Sequence, residues 1–169
     1  MSATNIIFDG NFLFYKTLHA SKSYSTKKSN YYLSSKEDEN IFIRKIATDL
    51  VSCVNMFGNV NKVIFTKDSR SWRSNFYNGY KSARKDKKDN DIDWETFYNS
   101  MNKFTDIISE RGIIVSNIDY AEGDDLLYLW SKYINKKNEN LIVITGDSDL
   151  SQIIKFNDTC FTIIYNNKS

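Results

Sequence analysis

Carboxylates at recurring positions are the chemical resource of this 169-residue chain. Glu122, Asp124 and Asp125 fall within four residues of one another, and Asp9, Asp68, Asp147 and Asp149 each follow closely on a short apolar run. One acid at the start of a helix is ordinary, because it caps free backbone N–H groups and complements the positive end of the helix dipole. Three so close together repel, and each raises the pKa of the others unless a cation neutralises them. If all seven converge, they form an oxygen-only ligand set, which favours Mg²⁺ or Mn²⁺. A pair of such ions activates a water and stabilises the leaving oxygen in phosphodiester hydrolysis.

The elements that must bring these acids together are legible from hydrophobic patterning. Residues 4–8 read as a buried strand that ends at Asp9, and 12–20 as a short helix. A longer helix runs from the capping-box-like Ser35-Lys-Glu-Asp38 through Ile41, Ile46, Leu50, Val54 and Phe57 to a stop at Gly58. The strand at 62–66 is followed within two residues by Asp68. Trp94, Phe97, Met101, Phe104, Ile107 and Ile108 recur at helical spacing, from a cap near Asp91 or Asp93 to Gly112. A third strand at 113–118 leads to the acidic cluster and a helix from about 124 to 133. A fourth at 141–145 ends in Gly146-Asp-Ser-Asp149, followed by a short helix near 150–154 and a fifth, edge strand at 159–165. Apolar strands alternating with helices predict a three-layer α/β domain with a mainly parallel central sheet of about five strands. In such sheets ligands bind in the crevice outside the carboxyl ends of the strands, where four successive strands would each deliver acid. The alternative, that each acid merely caps a turn, must hold four separate times.

Residues 69–90 differ from the rest in holding seven Lys or Arg against two Asp, interleaved with Trp72, Phe76, Tyr77 and Tyr80. A charge run is commonly a solvated face. Basic groups that pair with phosphates beside rings that stack on splayed bases are also what a single-stranded nucleic-acid contact uses. The Ser-, Lys-, Asn- and Tyr-rich stretch at 21–35 reads as a solvated loop, and His19 as a packed or capping residue. The net charge of +2 makes any attraction to a polyanion a matter of local clustering. One histidine and two cysteines, Cys53 and Cys160, exclude a zinc site built from Cys and His and suggest a reducing compartment without a disulfide framework. Nothing resembles a signal peptide or a membrane span, so the chain reads as a single cytoplasmic domain with no membrane association.

Together these motifs resemble the 5′-nuclease and flap-endonuclease superfamily, whose core is similar to the PIN domain, and especially its phage ribonuclease H and 5′→3′ exonuclease branch. Ile7-Phe-Asp-Gly-Asn11 and Phe14-Tyr-Lys-Thr-Leu-His-Ala20 are similar to the family's first strand and helix. Asp68, Trp72-Arg73 and Tyr80-Lys-Ser-Ala-Arg84 are similar to its second acid and basic helical arch, here 69–92. Ala121-Glu-Gly-Asp-Asp125 matches a Glu-Ala-Asp-Asp motif with Gly123 in place of Ala, and Thr145-Gly-Asp-Ser-Asp-Leu-Ser-Gln152 a Gly-Asp-x-Asp motif.

The resemblance implies two Mg²⁺ ions, with Mn²⁺ as the alternative. Asp9, Asp68, Glu122 and Asp124 would hold the first, and Asp124, with Asp125, Asp147 and Asp149, the second. It implies that Arg73 and Lys81 neutralise the reacting phosphate, helped by Arg84 and the neighbouring Arg70, and that Trp72 or Tyr80 stacks on a base. The substrates implied are DNA with 5′ ends or flaps and RNA–DNA hybrids, as in primer removal. Family members continue into a helix-three-turn-helix that grips duplex DNA; its absence here leaves open a fragment, a minimal enzyme, or a separate polypeptide supplying that region. A PIN-type single-strand endoribonuclease and a non-catalytic nucleic-acid-binding module remain alternatives.

Overall fold

The computed structural model describes residues 2–24, 33–77, 80 and 91–166. Most of the basic segment, including Lys81 and Arg84, lies outside the described residues. The strands are β1 (Thr4–Asp9), β2 (Lys62–Thr66), β3 (Ile114–Ser116), β4 (Asn140–Ile144), β5 (Lys155–Phe156) and β6 (Phe161–Tyr165). The α-helices are α1 (Gly10–Tyr24), α2 (Lys36–Met56), α3 (Trp94–Glu110) and α4 (Gly123–Lys136), with short 3₁₀ turns at Trp72–Asn75 and Ser148–Ile153.

One six-stranded sheet runs in the order β3-β2-β1-β4-β6-β5, parallel throughout except where β5 pairs with β6. The strands at its centre are apolar on both faces, and the two sets of side chains enter different cores. Ile6, Phe8, Phe65, Ile142 and Ile144 pack with α1, α2 and α3, whereas Ile7, Ile64, Leu141 and Val143 pack with α4 and the Ser148–Ile153 turn. Phe14 of α1 sits in the larger core, its ring centroid 5.5 to 6.3 Å from those of Phe42, Phe65, Phe97 and Phe104. Gly10 lets α1 begin against the end of β2, because a Cβ there would stand 2.0 Å from the Thr66 carbonyl oxygen.

Helix ends follow the expected capping chemistry. The Ser35 hydroxyl accepts the Asp38 N–H at 3.1 Å to start α2, and the Asp93 carboxylate accepts the Thr96 N–H at 3.0 Å to start α3. Gly58 and Gly112, just past those helices, have φ of 72° and 85°, the left-handed backbone that glycine adopts without strain.

Three expectations change. The sheet has six strands rather than about five, because 155–156 turns back on β6, so 161–165 is an inner strand and the two-residue β5 takes the edge. The third strand shrinks from 113–118 to three residues, since as the opposite edge strand it has only one neighbour to pair with. The first helix extends from 12–20 to Gly10–Tyr24. No helix among the described residues is long and apolar enough to cross a membrane.

Candidate metal centre and nucleic-acid interface

The chain lays β2 and β3 on one side of β1 and β4 and β6 on the other, so the order of the sheet reverses between β1 and β4. A crevice opens at such a switch point, outside the carboxyl ends of the strands. Asp9 is the last residue of β1, Asp68 follows β2 by two residues, Glu122 and Asp124 begin α4 after β3, and Asp147 and Asp149 follow β4. These six carboxylates, with Tyr80, line one cavity of about 730 Å³.

Asp9 is the buried member, at 8% exposure. Its Oδ1 accepts the Phe12 N–H at 3.0 Å and its Oδ2 the Thr145 hydroxyl at 2.8 Å. Burial, helped by the charges of Asp124 and Asp68, pushes its carboxyl from an ordinary 3.8 up to about 6, against the pull of these two bonds. Asp68 accepts the Gly123 N–H at the start of α4. The residue type at 123 matters here, since a Cβ would come within 2.6 Å of the Asp68 Oδ1 and force that carboxylate aside. Asp147 accepts the Asp149 N–H at 2.9 Å and donates its own N–H to the Thr145 hydroxyl at 3.1 Å.

Glu122 and Asp125 form a different constellation. The Glu122 Oε2 accepts from the Ser71 hydroxyl at 2.8 Å, the Arg73 guanidinium at 2.7 Å and the Tyr80 hydroxyl at 2.8 Å. Arg73 also grips both oxygens of Asp125, at 2.9 and 3.1 Å, and the Glu122 N–H donates to the same carboxylate at 3.1 Å. Hydrogen bonding to Arg73 holds the Asp125 carboxyl below the usual carboxylate range, and Asp125, then Glu122, make Arg73 still harder to deprotonate. The guanidinium lies 4.7 Å over the Trp72 ring. Asp125, Arg73 and Trp72 line a neighbouring cavity rather than the acidic one, and Arg70 lines neither, its Nε lying 3.4 Å from the Ser74 hydroxyl.

Residues not expected from the sequence also line this cavity, among them Asn11, Tyr15, Lys16 and His19 of α1. Asn11, Tyr15 and His19 recur every four residues, a polar stripe along one side of a helix, and that stripe was the available signal. His19 thus faces the cavity rather than only packing or capping.

The six carboxylates suit a hard divalent cation: they offer only oxygen, and the ionised form of Asp9 is opposed by burial and by its neighbours. Among the described residues no three metal-binding groups are drawn together tightly enough to hold an ion as they stand. The six acids instead line the cavity from four stretches of chain.

The family described as 5′-3′ exonuclease, N-terminal resolvase-like domain, matches residues 4–169. The chain belongs to that family. Among relatives of this exonuclease domain, thermostable DNA polymerase I of Thermus aquaticus is 24% identical over 149 residues, 88% of this chain and 16% of the polymerase. Among solved structures, the phage T5 5′-exonuclease with bound zinc superimposes with a TM-score of 0.66 at 15% identity, covering 96% of this chain and 55% of that one. The bacteriophage T5 flap endonuclease in a complex with DNA and metal ions does so with a TM-score of 0.59 at 14% identity. The chain therefore spans about half the length of the phage nucleases and about a sixth of the polymerase that it matches.

The Asp9 geometry gives a stability prediction. A folded-state pKa above the unfolded value means that the folded protein binds this proton more tightly, so the stabilisation is complete below about pH 4 and lost as pH rises through about 6. In EDTA, the stability of Asp9→Asn relative to the parent should rise by roughly 2 kcal/mol between pH 4 and 7, because the amide has no charge to bury. Urea unfolding of both proteins across that range checks it, and a constant difference refutes it.

Proposed function

We propose that the chain is the core of a divalent-metal-dependent 5′-nuclease that hydrolyses phosphodiester bonds at 5′ ends, flaps or RNA–DNA hybrids. The observation that carries this reading is the gathering of six carboxylates, from four separate stretches of chain, around one cavity that Tyr80 also lines. Structural resemblance to metal-bound and DNA-bound phage nucleases supports it.

In this reading Asp9, Asp68, Glu122 and Asp124 hold one Mg²⁺, and Asp124, Asp147 and Asp149 a second. Mn²⁺ is a chemically equivalent substitute. The ions, when bound, supply the charge that activates water and stabilises the departing oxygen. The protein does the positioning. Thr145 and the Phe12 N–H aim Asp9, the Gly123 N–H fixes Asp68, and Arg73, Ser71 and Tyr80 hold Glu122. Lys16 of α1 lines the same cavity, where its positive charge favours an incoming phosphate. Lys81 and Arg84 are assigned to the same phosphate.

The test is cleavage of three end-labelled substrates, a 5′-flap DNA, a nicked RNA–DNA hybrid and single-stranded RNA, in EDTA, Mg²⁺ or Mn²⁺. Metal-dependent cutting of either of the first two is expected. Cutting of single-stranded RNA alone would replace the proposal with a PIN-type endoribonuclease, and metal-independent binding without cutting would replace it with a binding module.

A further inference from the structure

Beside the acidic cavity lies a second, of about 680 Å³, lined by the rings of Trp72, Tyr120 and Tyr128, the aliphatic Leu129, and the polar Asp119 and Gln152. The two share Asp124 and Asp149. The rings are 46%, 52% and 45% exposed, and three large aromatics left this open around one concavity differ from solitary surface rings. Tyr120 also has φ of 65°, a left-handed conformation that glycine fills without strain and tyrosine rarely adopts. Its carbonyl accepts the Trp72 N–H at 2.8 Å, so one hydrogen bond ties the segments that carry two of the rings. Backbone strain that persists beside a cavity is a mark of function.

The charges select the occupant. Asp119, Asp124, Asp125 and Asp149 all line this cavity. Arg73 is the one basic group among its described lining residues, and it is engaged with Asp125 and Glu122. With Arg73 already paired to Asp125 and Glu122, the described lining offers a phosphate no further cation. A nucleobase is uncharged, presents a flat face to aromatic rings and offers amino N–H donors to carboxylates. Because Asp124 and Asp149 border both cavities, a base here belongs to a nucleotide that adjoins the phosphate held in the acidic one.

We propose that this second cavity is a nucleobase pocket, in which an unpaired base next to the scissile phosphate stacks on Tyr120 and Tyr128 and donates to Asp119. Lys132, whose Nζ lies 5.3 Å from the centre of the Tyr128 ring, covers one face of that ring, and the base uses the other. The proposal rests on the nuclease reading of the acidic cavity.

The probe is a 5′-flap DNA carrying 2-aminopurine at the nucleotide on either side of the cleavage point, titrated in Ca²⁺, with Mg²⁺ cleavage of the same DNA and of an abasic version scored in parallel. Tyr128→Leu keeps the apolar volume. Tyr120→Gly removes a ring while placing the residue best suited to that backbone, so misfolding cannot explain its effect. The parent should quench 2-aminopurine and prefer the base-containing DNA roughly ten-fold, and both variants should lose the quenching and that preference. Equal quenching in all three proteins overturns the pocket, as does a parent that cleaves without quenching. A parent that quenches without cleaving in any metal sustains the pocket and overturns the nuclease reading alone.

Discussion

Asp124→Asn should leave the fold intact and lower divalent-metal-dependent cleavage by roughly three orders of magnitude or more, the effect of several kcal/mol of lost charge stabilisation at the reacting phosphate. Asp124 is exposed in the first turn of α4, so an amide of the same shape is accommodated there, and the favourable interaction of its charge with the helix N-terminus is about 0.3–1 kcal/mol. Its position is what makes it sensitive. It lines both cavities and stands near enough to Asp9 to oppose that group's ionisation. Calorimetric titration with Mg²⁺ or Mn²⁺ should show weakened binding alongside lost cleavage, with the unfolding midpoint lowered by no more than a few degrees. A variant that cleaves within ten-fold of the parent would remove Asp124 from the ligand set.

Arg73→Gln is expected to cost roughly 10–100-fold in activity by a different route. Resemblance alone points Arg73 at the substrate phosphate. In the structure its guanidinium spans Glu122 and Asp125, and it shares the Glu122 Oε2 with Ser71 and Tyr80. Removing it leaves a carboxylate that is 7% exposed without its cation, so Glu122 should lose its fixed orientation and metal affinity should fall along with the cleavage rate. Lysine restores charge but not the two-pronged grip on Asp125, so Arg73→Lys should recover only part of the loss. Asp125→Asn should resemble Arg73→Gln. A phosphate-binding role predicts the opposite split, in which Arg73→Gln weakens DNA binding while metal affinity and the Asp125 variant stay at parental values.

The acidic cavity was legible because its logic is local. A parallel strand delivers the residues after its carboxyl end to one side of the sheet, so short apolar runs followed by acids could be read one at a time without knowing strand order. Helix starts at Ser35 and Asp93 were equally local. What escaped depends on contacts between distant residues. The grip of Arg73 on Asp125 joins positions 52 apart, and no spacing rule reaches that far. The stripe of Tyr15 and His19 was visible as a period, but which way it faced depended on how Gly10 seats α1 against β2. A two-residue strand such as β5 has too few residues to show alternation and exists because β6 offers it an edge. The left-handed backbone at Tyr120 runs against residue preference, and such conflicts gather where function outweighs local stability.

The central position of β1 carries a kinetic consequence. The Thr66 hydroxyl reaches the Phe8 carbonyl across 58 residues, and the Thr145 hydroxyl reaches Asp9 across 136. β1 therefore gains its second neighbour, β4, only after the 136 residues that separate Asp9 from Thr145 have been made. Until then an apolar strand has one bare hydrogen-bonding edge, open to pairing with another nascent copy. High contact order of this kind predicts slow folding, and a chain without proline has no prolyl isomerisation to share the blame. The late strand is also the one that leads to Asp147 and Asp149, so a nascent chain cannot assemble its full set of acids until that strand has emerged.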